Sequence, residues 1–193
     1  MPRVKLFDEN EVLIKAMNLF WKQGYSATSV QDLVSHLGIN RASLYDTFGD
    51  KEKLFKKSFE LYRKQSIDKI CELFQNRPNV KEGFSELFNN AINEALLDKN
   101  RKGCFAVNNT TELVPNDESC LEVLSSNRRD FENLFYEYLK KGQQKKQLKE
   151  CKDLKSLASF LFIVYNGILV VSKIQTNKKE LTDSVNLALS LLR

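Results

Sequence analysis

The chain contains few residues that interrupt helices. Its 193 residues include only seven glycines and three prolines, and Pro2 lies at the N-terminus. Glycine and proline are the strongest local interrupters of regular structure. Between them, apolar residues recur at the spacing of helix faces rather than in the strict alternation of half-buried strands. We therefore expect an all-α protein built mostly of long helices.

Composition indicates a folded protein without a secretory signal. Apolar residues make up 42% and charged residues 28% of the chain, as in ordinary globular domains. The N-terminus lacks an apolar stretch followed by a small-residue cleavage site. Residues 157–171 are the most apolar segment, but they are shorter than the roughly 20 residues of a spanning helix and include Asn166 and Gly167. We expect a buried helix here, and a cytoplasmic protein without membrane contact.

Catalytic and metal-binding chemistry is not indicated. The four cysteines form no C-x-x-C pair and His36 is the single histidine, so neither a metal site nor a disulfide framework is predicted. One histidine and no glycine-rich phosphate loop leave no visible catalytic constellation. We expect no enzyme activity, cofactor or metal, and we interpret Cys71, Cys120 and Cys151 as structural, reduced thiols.

A helix-turn-helix is predicted near the N-terminus. Thr28 with Gln31 resembles a capping box that begins a short helix, and Gly38 ends that helix. Asn40 is a favourable N-cap for the next helix, roughly residues 40–47. Two short helices joined by about four residues that include a glycine form the helix-turn-helix arrangement.

The third helix has the side chains of a recognition helix. Such a helix presents its N-terminal residues to base edges in the major groove, and Leu44 and Phe48 are expected to face inward. Arg41 suits guanine and Ala42 suits a thymine methyl, whereas helix N-termini and a lysine suit the flanking phosphates. The residues predicted to contact DNA are Thr28, Ser29, Asn40, Arg41, Ala42, Ser43, Tyr45 and Lys51.

Net charge does not decide whether this surface binds DNA. The chain carries a formal charge of +5, but the seven basic and seven acidic side chains within residues 1–55 cancel. The placement of charge must therefore decide the question. On spacing alone, the same residues also fit solvated positions on an ordinary helical protein, because generic helix-turn-helix patterns are common.

Two ordered stretches carry a family resemblance. AMNLFWKQGYSATSV (residues 16–30) and LGINRASLYDTFGDKEKLF (residues 37–55) resemble the DNA-binding domain of TetR-family transcriptional regulators. By analogy of fold, the resemblance implies an all-α homodimer of about nine helices, three of them in the DNA-binding head. It places the helix-turn-helix domain at residues 1–50 and the ligand-binding and dimerisation domain at residues 51–193. It also implies repression that is relieved when the C-terminal domain binds a ligand.

Asp46 departs from the family pattern, which often has histidine or another phosphate-compatible residue at this position. A carboxylate there repels phosphate unless it pairs with Lys51 or Arg41. We therefore do not include Asp46 among the predicted DNA contacts.

A second resemblance concerns a cysteine. KGCFAVNNTTE (residues 102–112) and YNGILVVSK (residues 165–173) resemble motifs of a TetR subgroup, some of whose members sense electrophiles or oxidants through that cysteine. The resemblance implies sensing by Cys104 with Lys173 nearby, and a helix N-terminus preceded by basic residues favours a thiolate. The alternatives are an inert, apolar Cys104 and a Lys173 that extends to solvent.

Aromatic residues at helical spacing predict an apolar ligand pocket with few polar anchors, although the same stripe fits an ordinary core. The expected effector is a small molecule or an electrophile. The residues predicted to bind it are Cys104, Asn108, Phe131, Phe162, Tyr165 and Asn166.

The last two helices, predicted at about residues 153–175 and 178–192, are apolar on more than one face and therefore need a second partner. The resemblance implies that they pair with their copies in a homodimer, which places two recognition helices roughly 34–36 Å apart on a palindromic operator. A helical protein-interaction adaptor is the alternative, but it leaves the helix-turn-helix unexplained. The apolar residues in question are Phe160, Ile163, Leu169, Val170, Ile174, Val185, Leu189 and Leu192.

Overall fold

The computed structural model describes residues 7–114, 118–148, 153–174 and 177–192. Within these ranges the chain forms nine α-helices and no strand, which confirms the all-α prediction. The helices are α1 (Glu9–Gln23), α2 (Val30–Leu37), α3 (Arg41–Phe48), α4 (Lys51–Asn76), α5 (Val80–Leu97), α6 (Phe105–Leu113), α7 (Glu118–Gln144), α8 (Leu154–Val171) and α9 (Lys178–Leu189).

Polar N-caps fix where the first four helices begin. Each cap side chain accepts a backbone N–H from the first turn of its helix, which satisfies a donor that has no partner within the helix. The hydrogen bond from Lys53 N also lowers the pKa of the Asp50 carboxyl. The predicted cap of α3 is confirmed, and the four caps are Asp8, Ser29, Asn40 and Asp50.

The capping box of α2 lies one residue later than predicted. Ser29, not Thr28, is the N-cap, and its partner is Asp32 rather than Gln31. The Asp32 carboxylate accepts the Ser29 hydroxyl at 2.6 Å and the Ser29 N–H at 2.8 Å, and these bonds lower the pKa of Asp32. Thr28 is fully buried, and its hydroxyl donates to the Gly24 carbonyl at 2.6 Å.

The turn between α2 and α3 fixes the orientation of the third helix. Gly38 adopts the left-handed conformation (φ 69°) that glycine tolerates best, and its N–H donates to the Val34 carbonyl. Leu44 and Phe48 of α3 are buried, as predicted. The opposite side of α3 therefore faces solvent.

The core consists of two hydrophobic clusters that share α4. Phe55 and Phe59, from its first half, pack in the head cluster with α1–α3. Ile70 and Phe74, from its second half, pack in the body cluster with α5 and α7–α9. The head cluster also includes Phe105 of α6 and buried residues of early α7. The head is therefore packed directly against elements of the C-terminal region, and the domain boundary at residue 50 stays a prediction.

The prediction that α8 is buried holds for one face. By length and composition this helix is apolar enough to cross a membrane, with a mean hydropathy of 1.9 over 18 residues. It nevertheless packs against α5, α7 and α9, with Ala158, Leu161 and Ile168 buried. The other face, which includes Phe160 and Ile163, is exposed.

The apolar surplus of the last helices is divided differently from the prediction. Val185, Leu189 and Leu192 are buried within the chain, so they do not need a second partner. We call the exposed apolar surface of these helices the α8–α9 outer face. It comprises Phe160, Ile163, Val170, Val171, Ile174, Leu187 and Leu191.

Candidate DNA interface and ligand cleft

The solvent side of α3 presents an ordered pair of side chains. Arg41, Ala42 and Tyr45 are exposed, while Ser43 is half-buried. The Arg41 guanidinium donates to the Tyr45 hydroxyl at 3.3 Å and lies 5.6 Å from the centre of its ring. Asn40 is exposed, but its carboxamide oxygen accepts the Ser43 N–H. The first five residues of α3 thus offer a positioned guanidinium and a phenol to solvent.

The predicted phosphate contacts have different surroundings. Ser29 is exposed at the N-terminus of α2. The Lys51 ammonium lies 4.3 Å from the centre of the Tyr25 ring, and burial lowers its pKa while the Glu112 carboxylate acts in the opposite direction. Because Thr28 is fully buried, the structure does not present its side chain to a phosphate.

A cleft and a smaller chamber meet at Cys104. The outer cleft, of about 590 Å³, lies between α4, α5, the 98–104 loop and the end of α8. The inner chamber, of about 30 Å³, lies beside it and has room for about two water molecules. The two cavities share Tyr62, Ser66, Cys104, Tyr165 and Leu169.

Most of the residues predicted to bind a ligand come together here. The inner chamber is lined by Cys104, Phe131, Phe162, Tyr165 and Asn166, among others. Asn108 lines neither cavity and lies in an adjoining cleft between α1 and α6. The structure therefore groups five of the six predicted residues.

The Cys104 thiol is held next to a phenol. Cys104 is the half-buried N-cap of α6, and its Sγ lies 3.3 Å from the Tyr62 hydroxyl. Burial, and then the neighbouring Cys104 sulfur, raise the pKa of Tyr62 well above its usual value. The same two causes, in the same order, raise the pKa of Tyr165. Both phenols thus remain neutral hydrogen-bond donors near the thiol.

Lys173 contacts Gly103 in the loop before Cys104 and Asn108 in α6 after it. Its ammonium donates to Asn108 Oδ1 at 2.7 Å, and Asn108 Nδ2 donates to the Lys102 carbonyl at 2.7 Å. Its side chain also crosses Gly103, where an added Cβ would lie 2.1 Å from Lys173 Cε. Lys173 and Cys104 line the same outer cleft.

The helix α6 connects this cleft to the head. At its N-terminal end, the Trp21 indole donates to the Gly103 carbonyl at 2.9 Å. At its C-terminal end, the Glu112 carboxylate accepts the N–H groups of Ser26 at 2.7 Å and Tyr25 at 3.3 Å. A displacement of α6 would therefore pull on the α1–α2 loop, next to the predicted DNA contacts.

Sequence reasoning did not identify Tyr62, Trp21 and Glu112, whose hydrogen bonds surround Cys104 and join α6 to the head. Glu112 falls within the cysteine motif, but nothing in the motif indicates that it bonds to the α1–α2 loop. No group of three or more His, Cys, Asp or Glu side chains capable of holding a metal occurs in the described ranges.

Comparison with known proteins identifies the family. Residues 12–57 match the model of bacterial regulatory proteins of the tetR family, and residues 84–187 match the tetracyclin repressor-like C-terminal domain. An uncharacterised HTH-type transcriptional regulator, YezE of Bacillus subtilis (strain 168), is 34% identical over 194 residues, covering 100% of both chains. The HTH-type transcriptional repressor ComR of Escherichia coli (strain K12) is 31% identical over 176 residues, covering 89% of this chain and 82% of ComR.

A solved structure extends the match to the whole fold. A cysteine mutant of the TetR-family transcriptional regulator CifR, complexed with 26-bp double-strand operator DNA, superposes with a TM-score of 0.87 at 28% identity. The match covers 99% of this chain and 100% of the CifR chain. The chain is thus a member of the TetR family of transcriptional regulators and not an enzyme.

Proposed function

We propose that the protein is a cytoplasmic, homodimeric transcriptional repressor that leaves a palindromic operator when the cleft around Cys104 is liganded or modified. The position of α6 carries the proposal. Cys104 and the hydrogen bond from Trp21 to Gly103 lie at the N-terminal end of α6, and Glu112, near its C-terminal end, accepts the Ser26 N–H of the head. The repressor ComR and the operator complex of CifR support this direction of regulation and the DNA target.

Arg41 is the residue best placed to read a base. Its planar guanidinium can donate two parallel hydrogen bonds to guanine O6 and N7. The contact with Tyr45 one turn later restricts the side chain before DNA arrives, so less rotamer entropy is lost on binding. Ser29, Lys51 and Tyr45 suit phosphates on either side, which orient the protein but carry no sequence information.

Substituting Arg41 with alanine is expected to weaken operator binding by about 1–3 kcal/mol per half-site, and so by roughly 2–6 kcal/mol for the proposed dimer, because each protomer loses one base contact. The measurement is a fluorescence titration on DNA upstream of the protein's own gene, or on a site selected from random sequence. Arg129→Ala removes an exposed arginine from α7 and should leave the affinity unchanged. If Arg41→Ala weakened operator and non-specific DNA equally, Arg41 would be a phosphate contact instead.

A second copy of the chain is the proposed partner of the α8–α9 outer face. The exposed residues Phe160, Ile163 and Val170 recur along one side of α8, and water-exposed apolar area of this kind is typical of an interaction surface. Gly167 lies on the exposed side, and an added Cβ there would meet no atom within 4 Å. A glycine there permits close approach of a partner helix.

Release from DNA follows from unequal ligand affinity in two conformations. An adduct on Cys104 needs space beside Tyr62, which lies on α4, and α4 continues from the head into the body. A conformation that moves α6 or α4 to accept the adduct also changes the contacts at Trp21 and Glu112. Modification then shifts the population towards the conformation that binds DNA less well.

Treating the purified protein with a mild thiol-reactive electrophile is expected to abolish operator binding, because the adduct disturbs α6. In Cys104→Ser, operator binding should persist with and without the reagent. The readout is the same fluorescence titration in the presence of excess competitor DNA. Binding that is indifferent to the electrophile would make Cys104 a structural thiol. Failure to retain any specific DNA, including sequences selected at random, would favour the protein-interaction adaptor.

A further inference from the structure

We propose that the outer cleft contains a carboxylate subsite formed by Lys173, Ser172 and the N-terminus of α6, so that the effector is an electrophile carrying a carboxylate. This inference rests on the proposed function in taking Cys104 as the reacting thiol. The subsite holds the carboxylate while the reactive carbon of the same molecule meets Cys104 Sγ.

The N-terminus of α6, which meets the outer cleft at Cys104, has no side-chain cap. Cys104 is its N-cap residue, and no side-chain hydrogen bond caps the helix. The first helical backbone bond runs from Asn108 N–H to the Cys104 carbonyl, so the amides of the first turn have no acceptor within the helix. These amides and the helix dipole favour negative charge at this point.

Ser172 supplies an independent indication of a ligand. It is only 5% exposed, and its hydroxyl oxygen has no hydrogen-bond partner among the described residues. It lines the outer cleft together with Lys173 and Cys104. Buried polar atoms are nearly always satisfied, and a serine hydroxyl can donate to a carboxylate oxygen. A bound carboxylate would satisfy this group.

Lys173 is a positioned cation with donors to spare. Its ammonium uses one N–H for Asn108 Oδ1, and an ammonium has three. The absence of a side chain at Gly103 lets Lys173 cross the loop directly beside Cys104. Asn108 fixes this arrangement, because its other amide atom donates to the Lys102 carbonyl.

The charges of the cleft favour an anion at this end. Two carboxylates line the cleft, and each already has an ion-pair or hydrogen-bond partner within the chain. Glu94 pairs with Lys69 at 2.5 Å, and Asp98 accepts the backbone N–H groups of Asn100 and Lys102. The cations Arg101, Lys102 and Lys173 also line the cleft, with Lys102 stacked over the Trp21 ring at 4.7 Å. The cleft therefore holds an excess of positive charge beside Cys104, which concentrates anionic ligands.

The covalent step on such an effector is a conjugate addition. For an unsaturated carbonyl compound that carries a carboxylate, the Cys104 thiolate forms a C–S bond at the β-carbon. The electrons of the carbon–carbon double bond move to the α-carbon, which takes a proton from water. The thiol proton has already passed to solvent, so no oxidant or reductant is required. The carboxylate is unchanged and remains on the subsite.

Iodoacetate and iodoacetamide provide a matched pair of probes, because they share one reaction and differ mainly in charge. In each case the thiolate forms a C–S bond and iodide leaves with the bonding electrons. We expect the iodoacetate-to-iodoacetamide rate ratio at Cys104 to exceed that of a free cysteine peptide by roughly tenfold. Peptide mass spectrometry of the full chain measures both rates at Cys104.

Two variants make the test specific to the subsite. Lys173→Met and Ser172→Ala should each lower the iodoacetate rate at Cys104 more than the iodoacetamide rate, and high salt should lower the ratio in the native chain. A ratio equal to or below that of the free peptide would overturn the proposal, as would a thiol that reacts with neither reagent. These rates are measured without DNA. A raised ratio without operator release would therefore retain the subsite and reject the proposed regulation.

Discussion

Replacing Phe105 with alanine is expected to lower the free energy of unfolding by about 3–5 kcal/mol, the usual cost of removing a buried phenylalanine side chain. Phe105 is 1% exposed, and the rings that surround it come from both α1 and α4. Its ring centre lies 5.5–6.1 Å from those of Trp21, Phe55, Phe59 and Tyr62. The alanine variant leaves a cavity where α6 meets the head.

Urea denaturation followed by tryptophan fluorescence measures this loss directly. Trp21 is the single tryptophan, and its ring is stacked on Phe105 with an interplanar angle of 28°. Phe105→Leu retains most of the apolar volume and should cost less than the alanine variant. Leu97→Ala removes an 80% exposed side chain and should change the unfolding energy by no more than about 0.5 kcal/mol. A Phe105→Ala value close to that of Leu97→Ala would show that α6 does not pack on the head in solution.

The helices of the head were predictable because their signals are local. Asn40 and Asp50 cap the helices that follow them, and Leu44 and Phe48 are buried at helical spacing. The misplaced capping box shows where local reasoning fails. Thr28 and Ser29 are both suitable caps, and each is followed three residues later by a side chain that completes a box. Thr28 is fully buried in the fold, and its hydroxyl donates to the Gly24 carbonyl four residues earlier, so Ser29 is left to cap the helix.

The hydrogen bonds around the ligand cleft join residues that are far apart in the sequence. Tyr62 meets Cys104 across 42 positions, Trp21 meets Gly103 across 82, and Ser26 meets Glu112 across 86. Neither periodicity nor capping signals relate such positions, since they describe one helix at a time. The family resemblance indicates Cys104 and Lys173 as a pair. The contacts of Lys173 with Gly103 and Asn108, on either side of Cys104, are visible only in the packed structure.

The last two helices illustrate the same limit for apolar residues. Helical spacing marks Val185 and Leu189 as well as Ile163 and Val170 as members of apolar faces. Whether a face packs inside the chain depends on which helix lies opposite. The helix α9 packs against α5, and Val185 and Leu189 are buried in the body cluster. The residues left for a partner are therefore concentrated on α8. This concentration allows the proposed dimer to be broken without disturbing the core of one chain.

Ile163→Asp is expected to reduce operator affinity by roughly 10²–10⁴-fold, the range over which linking two binding modules raises affinity. Ile163 is 63% exposed in the single chain, so the aspartate is solvated there and the fold of the monomer is retained. In the proposed dimer, however, the carboxylate would be buried in an apolar interface, which is costly for an unpaired charge. Light scattering should then give a mass of 22.4 kDa, that of one chain, instead of twice that value.

Leu121→Asp is the matched control, because Leu121 is exposed on α7 close to the head cluster and lies outside the α8–α9 outer face. It introduces the same charge and should leave both mass and operator affinity unchanged. If Ile163→Asp remained a dimer with native affinity, the two heads would have to be joined through another surface. If it became a monomer with native affinity, one head would bind DNA by itself, and the requirement for a palindromic operator would be lost. The combined loss of dimer mass and operator binding is the outcome expected if the exposed face of α8 holds two recognition helices on one operator.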